Sequence, residues 1–190
     1  MRYKEFFFTY RSYTPIPVIL AALILAKPSL ASFIFGLLVA ISGESIRIWS
    51  IRFAGSATRT TGEVGADELV TTGPYGHLRN PLYLGNFLLS FGVLIMAWPW
   101  MPWFLLLYLL LFYFQYSAII SLEEDFLRTK FGEAYSEYEK HVPRFIPRFS
   151  NWNKGNRKPT GLAKALHTER NSLQSLSIVT ILLILRWIFL

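Results

Sequence analysis

Residues 83–121 read YLGNFLLSFGVLIMAWPWMPWFLLLYLLLFYFQYSAIIS. Two apolar runs, 83–98 and 103–121, flank a short turn that contains two prolines and is bordered by tryptophans. A helix needs roughly 20 mostly apolar residues to cross the hydrocarbon core of a bilayer, and tryptophan concentrates at the depth of the lipid headgroups. The stretch therefore predicts two transmembrane helices joined by a tight turn at one membrane surface.

The composition of the whole chain is typical of a membrane protein. Of the 190 residues, 53% are hydrophobic and only 16% are charged, against about 25% charged in soluble proteins. The lack of cysteine excludes disulfides, thiolate zinc sites and a cysteine nucleophile. The three histidines show no ligand spacing, so we expect no metal site. The formal charge of +7 is explained by the positive-inside rule and anionic lipids rather than by nucleic acid.

The N-terminal part predicts a helical hairpin. An apolar run at 15–26 is long enough to cross the bilayer only together with the aromatic stretch 6–13, and a second run begins at residue 30 and continues to residue 53. Lys27 and Pro28 form the turn, because proline stops one helix and fits the first turn of the next. No signal-peptide cleavage pattern follows the first run, so we expect the N-terminus to be retained.

The remaining segments alternate between polar and apolar. Residues 54–72 predict a loop outside the hydrocarbon, 123–173 are polar and basic, and 175–190 form a last apolar run that either spans the bilayer or lies in its interface. The predicted fold is an all-α integral membrane protein with about five transmembrane helices and a cytoplasmic-side cofactor pocket. The single domain, 1–190, comprises the hairpin 1–53, a catalytic core at 54–150, and a basic linker with an apolar helix at 151–190.

Basic residues determine the predicted orientation. Arginines are frequent between residues 42 and 81, and lysines and arginines between residues 122 and 172, whereas the 98–102 turn has none. Cytoplasmic segments carry an excess of Lys and Arg, so both polar segments are predicted to face the cytoplasm.

Three ionisable clusters are predicted to meet at that face: Glu44 with Arg47, Arg79-Asn80-Pro81, and Glu123-Glu124. Ionisable groups at a membrane edge are costly and therefore suggest a function. Each cluster also has a plainer interpretation, respectively a helix-end ion pair, a helix start and a solvated helix terminus. Because the C-terminus of a helix disfavours carboxylates, we expect the last cluster to have partners, of which a cationic ligand is one.

Residues 69–85, LVTTGPYGHLRNPLYLG, resemble the signature of the isoprenylcysteine carboxyl methyltransferase family and of its relatives among the phospholipid methyltransferases. The Glu123-Glu124 pair followed by Phe131-Gly132 and by VPRFIP at 142–147 is similar to the C-terminal block of that family. Gly43-Glu44 with Arg47 resembles a patch of the carboxyl methyltransferases. The resemblance covers about residues 43–148 and implies a helical membrane enzyme that holds S-adenosyl-L-methionine at the cytoplasmic edge.

Position by position, the resemblance assigns a set of cofactor-binding residues. They are Glu68, Leu69, Val70, Tyr75, His77, Arg79, Asn80, Pro81, Leu82, Tyr83 and Glu123. Backbone N–H groups at the start of the third span would hold the methionine carboxylate. Tyr75 and Tyr83 would stack on adenine or face the sulfonium, and Glu123 would accept hydrogen bonds from the ribose hydroxyls or the amino group.

The resemblance implies a lipid or prenylated acceptor, within a membrane of lipid partners. Our leading hypothesis is carboxyl O-methylation of an isoprenylcysteine or a similar lipidated acid. The candidate catalytic residues are Arg47 as the anchor of the carboxylate, Glu44 to fix its guanidinium, and Glu124 as a base if the acceptor is an amine. The family often has His in place of Asn80, and the animal carboxyl methyltransferases have Arg in place of Ile119.

Two alternatives stay open at this point. The runner-up is N-methylation of a phospholipid or another lipid amine, which would need a base such as Glu124 to remove a proton. The other is a non-catalytic membrane scaffold or small transporter, although transporters more often show internal repeats and broken helices. The sequence leaves the oligomeric state open.

Overall fold

The computed structural model describes residues 3–55, 67–152, 154–155 and 157–189. Seven α-helices and one short 3₁₀ helix, Gly73–Gly76, form the described part of the chain. The α-helices are α1 Tyr3–Thr9, α2 Ile16–Ile24, α3 Leu30–Ala54, α4 Pro81–Ala97, α5 Trp103–Phe131, α6 Glu133–His141 and α7 Leu162–Phe189.

The prediction of an all-α fold is confirmed for the described residues, and their apolar helices are consistent with a multi-pass membrane protein. Three helices, α3, α5 and α7, are long and apolar enough to cross a membrane, and α4 is a shorter apolar helix. Residues 56–66 of the predicted 54–72 loop lie outside the described residues, as do Arg2 and Arg59, which contribute to the predicted orientation.

The first predicted span is not one helix. It divides into α1 and α2, of 7 and 9 residues, and hydrogen-bonded turns connect them at residues 10–16. Pro15 caps α2 and Pro17 lies in its first turn. Because proline lacks the N–H that a continuous helix needs, this pair interrupts the helix. Each of the two pieces is too short to cross a bilayer by itself.

Helices α3 and α4 form the most extensive helix–helix contact among the described residues. Glycines allow it: a Cβ on Gly36 would meet the backbone oxygen of Gly92 at 2.5 Å, and a Cβ on Gly43 would meet that of Gly85 at 2.7 Å. Small residues at such positions let two helix backbones approach closely, which favours association inside a membrane. The two crossings fix the register of α4 against α3.

Helix α7 runs antiparallel to α3 along its whole length. Thr160, just before α7, donates its backbone N–H to the carbonyl oxygen of Arg52 at 2.6 Å. Near the other end of both helices, Trp187 stacks on Phe33 with ring centroids 6.0 Å apart. Helix α7 starts at Leu162, well before the predicted apolar run at 175, because its polar first half lies against the polar end of α3.

The apolar core and the polar groups occupy opposite ends of the bundle. Buried Ala22, Ala40, Met96, Tyr108 and Leu183 belong to one cluster that joins α2, α3, α4, α5 and α7. The turn between α2 and α3 and the turn between α4 and α5 lie together at that end. There the backbone N–H of Lys27 donates to the carbonyl oxygen of Ala97 at 2.9 Å. The charged ends of α3, α4 and α5 therefore point the opposite way.

We predict that Gly92→Ala lowers the free energy of unfolding by about 1–3 kcal/mol, the usual cost of overpacking. The added methyl group would meet the backbone of α3 at Gly36 and Ala40, which cannot move aside as a side chain can. The control is Gly161→Ala, since a Cβ there meets nothing within 4 Å. Thermal unfolding in detergent measures both variants, and equal midpoints would contradict the role of the glycine crossing.

Candidate functional site

A cavity of about 780 Å³ opens at the charged end of the bundle. Residues of α1, α3, α4, α5, α6 and α7 line it, together with the segment that precedes α4. All of the predicted cofactor-binding residues except His77 line this cavity. His77 lies to the side, where its Nδ1 is 2.9 Å from the carbonyl oxygen of Arg148.

The segment before α4 forms one wall of the cavity. The 3₁₀ helix carries Tyr75, whose carbonyl oxygen accepts a hydrogen bond of 2.7 Å from the hydroxyl of Tyr138 in α6. Burial raises the pKa of both phenols above the ordinary value, and for Tyr75 the carboxylate of Glu123 adds to the effect. Both side chains therefore stay neutral at physiological pH and act as aromatic surfaces and hydrogen-bond donors.

Helix α4 begins at the cavity. Asn80 is its N-cap and Pro81 its first residue, a position that proline suits because a first-turn residue needs no backbone donor. Residues 80–83 all line the cavity. The positive end of the helix dipole therefore faces the space, which favours an anionic group there.

Glu123 lies across the cavity from the 3₁₀ helix, near the end of α5. Its Oε1 accepts a hydrogen bond of 2.6 Å from the hydroxyl of Tyr83 and lies 3.6 Å from Nη1 of Arg11. The ring of Tyr83 packs edge-on against Tyr116, with centroids 5.2 Å apart. A carboxylate, an arginine and two aromatic rings thus share one surface of the cavity.

Glu124 is next in the chain but is placed differently. It is only 1% exposed and does not belong to the cavity lining. Its Oε1 accepts hydrogen bonds from Nε of Arg79 at 3.1 Å and from Nδ2 of Asn80 at 3.2 Å, and its Oε2 accepts one from Arg144. The geometry makes it the buried anion that ties the start of α4 to α5 and to the segment after α6.

A second charged cluster surrounds Arg47, which lines the cavity from α3. Its Nη2 and Nε lie 2.6 Å and 3.2 Å from Oε2 of Glu169 in α7, and Nη1 donates to Oδ1 of Asn86 in α4. Glu44 lies 3.5 Å from Nε of Arg47 and accepts a hydrogen bond of 2.8 Å from Ser172. The i, i+3 pair of Glu44 and Arg47 therefore exists, but Glu44 is 4% exposed and lies behind the lining.

Several lining residues were not among the predicted site residues: Arg11, Asn86, Tyr116, Arg157, Glu169 and Ser172. Arg157 donates a hydrogen bond of 2.8 Å to Glu68 and another of 3.2 Å to the carbonyl oxygen of Ala54. Part of this set lies on one face of α7. The buried or half-buried positions 165, 169, 172, 176, 179 and 183 of this helix follow spacings of three and four, which is the pattern of one helix face.

The central part of the chain is similar to known proteins. Residues 31–134 match the phospholipid methyltransferase family. The chain is 35% identical over 79 residues to the protein-S-isoprenylcysteine O-methyltransferase of Schizosaccharomyces pombe, an alignment that covers 42% of this chain and 33% of that protein. It is 31% identical over 116 residues to protein-S-isoprenylcysteine O-methyltransferase B of Arabidopsis thaliana, with 60% and 58% of the two chains covered.

A relative with a different name also matches. The cobalt-zinc-cadmium resistance protein CzcN of Cupriavidus metallidurans is 34% identical over 104 residues, which are 55% of this chain and 44% of that protein. The chain thus spans 33% to 58% of the length of these three relatives. No solved structure matches the chain significantly.

We predict that Glu124→Gln lowers the free energy of unfolding by about 3–5 kcal/mol, the usual cost of breaking a buried ion pair, because it removes the charge that joins the mostly buried Arg79 to the half-buried Arg144. The matched control is Glu137→Gln: Glu137 also pairs with a basic residue, Lys154, at 2.5 Å, but its side chain is 50% exposed. A solvated pair contributes little. Chemical unfolding of both variants in detergent measures the difference, and similar losses would show that the buried network does not hold the helix ends together.

Proposed function

The chain belongs to the phospholipid methyltransferase family, and from this premise we propose that it is a membrane-embedded methyltransferase that uses S-adenosyl-L-methionine. The main support is the cavity that gathers the start of α4, the tyrosines and Glu123. Its volume of about 780 Å³ falls within the roughly 300–1,000 Å³ typical of small-molecule sites.

The residues present fit the chemical groups of this cofactor. The N-terminus of α4 suits the methionine carboxylate, and Glu123 suits the amino group or the ribose hydroxyls. The faces of Tyr75 and Tyr83 suit the adenine ring or the sulfonium. When bound, the cofactor supplies an activated methyl group for an in-line displacement, so the work of the protein is positioning and exclusion of water.

We propose the carboxylate of an isoprenylcysteine, or of a similar lipidated acid, as the methyl acceptor. A carboxylate is ionised at neutral pH and needs no general base. Arg47 is the basic residue that we assign to hold it, because Arg47 lines the cavity at the side of α3 and α7. The names of the relatives from Schizosaccharomyces pombe and Arabidopsis thaliana, both protein-S-isoprenylcysteine O-methyltransferases, support this acceptor class.

We further propose that the cavity faces the cytoplasm. The polar segments that border it hold most of the lysines and arginines, whereas the 98–102 turn at the other end holds none. Under the positive-inside rule this orientation is the favoured one. A water-soluble cofactor would then enter from the cytoplasm, and a lipid acceptor from the bilayer.

A second candidate is N-methylation of a lipid amine, and the surroundings of Arg47 favour it. Two carboxylates, Glu44 and Glu169, flank this one arginine, and carboxylates beside the cavity suit a cationic headgroup. An ammonium must lose a proton before it attacks, which calls for a base. Glu124 is enclosed by arginines, so a base facing the cavity would have to be one of the carboxylates that line it, which are Asp67, Glu68, Glu123 and Glu169.

We predict that the purified protein binds S-adenosylhomocysteine and that Tyr83→Ala and Glu123→Gln each weaken this binding about tenfold, the effect of losing one good polar or aromatic contact. Tyr113→Ala is the control, since Tyr113 is 65% exposed on the outer face of α5. Isothermal calorimetry in detergent measures the affinities. A wild-type protein that does not bind would contradict the enzyme proposal and leave the scaffold alternative.

We predict that the wild type methylates a prenylated cysteine acid and that its turnover is nearly constant from about pH 6 to pH 9, because a carboxylate with a pKa near 4 stays ionised throughout. The measurement is S-adenosylhomocysteine formation with matched acid and amine lipids over this pH range. Turnover of the amine alone, rising with pH as the ammonium loses its proton, would support the second candidate and reject the first.

A further inference from the structure

Helix α7 completes the cavity although it lies outside the matched region. The family match ends at residue 134, whereas Glu169, Asn171, Ser172 and Ser175 of α7 line the cavity. Of these, Glu169 pairs with Arg47 and Ser172 with Glu44, whereas Tyr83 and Glu123 form another part of the lining with Arg11. The proposed acceptor end of the site is therefore built partly by a segment that the family match does not cover.

Glu169 is the residue of α7 that reaches the functional arginine. Its side chain is fully buried, at 0% exposure, and its Oε2 accepts hydrogen bonds from both Nε and Nη2 of Arg47. Asn86, in α4, accepts a hydrogen bond from Nη1. Three helices thus hold one guanidinium, which removes most of the rotamer freedom of a long arginine side chain.

The guanidinium of Arg47 retains N–H donors with which it can bind a ligand. A guanidinium has five N–H donors, and the contacts with Glu169 and Asn86 use one on each of its three nitrogens. Among the described residues, one N–H on Nη1 and one on Nη2 form no further hydrogen bond. A carboxylate accepts such a pair well, because the fork of an arginine matches its two oxygens.

We infer that Glu169 is a positioning residue, which orients Arg47 so that its remaining donors receive the carboxylate of the acceptor. The inference rests on the proposed function, because it assigns the acceptor to the Arg47 side of the same cavity. Glu44 supports the arrangement from α3, with Ser172 holding its Oε2. Helix α7 thereby sets which acceptors the site takes, while the cofactor residues lie in other elements.

The test is a double-mutant cycle of Arg47→Gln and Glu169→Gln with an N-acetylated S-prenyl cysteine as the acceptor. We expect Glu169→Gln to raise KM, and the directly measured Kd of the acceptor, about tenfold, as for a lost charge-assisted contact. In the Arg47→Gln background the same change should have little further effect, because Glu169 acts through Arg47. Glu169→Asp should restore part of the affinity.

Two controls separate positioning from structure. The affinity for S-adenosylhomocysteine and the unfolding temperature should stay near the wild-type values in Glu169→Asp, and Glu137→Gln, an exposed carboxylate paired with Lys154, should change nothing. Additive effects in the cycle, with parallel losses of cofactor affinity and thermal stability, would mean that Glu169 only fastens α7 to α3 and would overturn the inference. A lower KM in Glu169→Gln would also overturn it, because Glu169 would then compete with the acceptor for Arg47.

The failure of the proposed function has a different signature. If the wild type binds the prenylated acid but does not methylate it, the proposed reaction is wrong, and the acceptor Kd values still decide the role of Glu169. If the wild type neither binds nor methylates the acid, both fail. If it methylates the acid and Glu169→Gln behaves like Glu137→Gln, the inference alone fails.

Discussion

The close contact between α3 and α4 is the constraint on which the rest of the structure depends. Its glycines bring the two backbones together at Gly36 with Gly92 and at Gly43 with Gly85. Gly85 has a further effect, because a Cβ there would meet Cγ of Arg47 at 2.5 Å. The missing side chain therefore lets Arg47 cross α4 and reach Asn86, so that a packing requirement also places a charged group of the cavity.

Two charged networks continue this arrangement into the site. Glu124 joins the start of α4 to α5 and to Arg144, which keeps residues 80–83 at the cavity wall. Glu169 joins α7 to Arg47 in another part of the cavity wall. Buried ion pairs add little net stability compared with apolar contacts, but breaking one is costly. Their effect here is to fix the geometry of the cavity at two places, whereas the larger apolar cluster lies at the other end of the bundle.

The sequence predicts the part of this site that lies in contiguous motifs at helix ends. The residues assigned between Glu68 and Tyr83, and Glu123, follow the family signature and charge counting places those helix ends at one face; of this set only His77 does not line the cavity. Glu169 and Arg11 were missed, since they come from segments outside the motifs and only tertiary packing brings them to the cavity. Glu124 was correctly expected to have partners. Its position outside the cavity lining was not predicted, because it depends on the rotation of α5 about its own axis.

The fold likewise has parts that the sequence predicts and parts that it does not. Hydrophobic length identifies α3, α5 and α7 as candidate spans, but it does not detect that Pro15 and Pro17 divide the first run. It also places the start of α7 too late, because hydrophobicity marks lipid contact, whereas the first half of this helix lies against the polar end of α3.

The central claim is that the cavity at the start of α4 holds S-adenosyl-L-methionine. Ultraviolet crosslinking of the radiolabelled cofactor to the protein in detergent, followed by peptide mapping, tests it most directly. The account predicts saturable labelling within residues 67–83 or 116–127, abolished by excess S-adenosylhomocysteine. Labelling that does not saturate, or that is confined to the exposed outer face of α7, would contradict it.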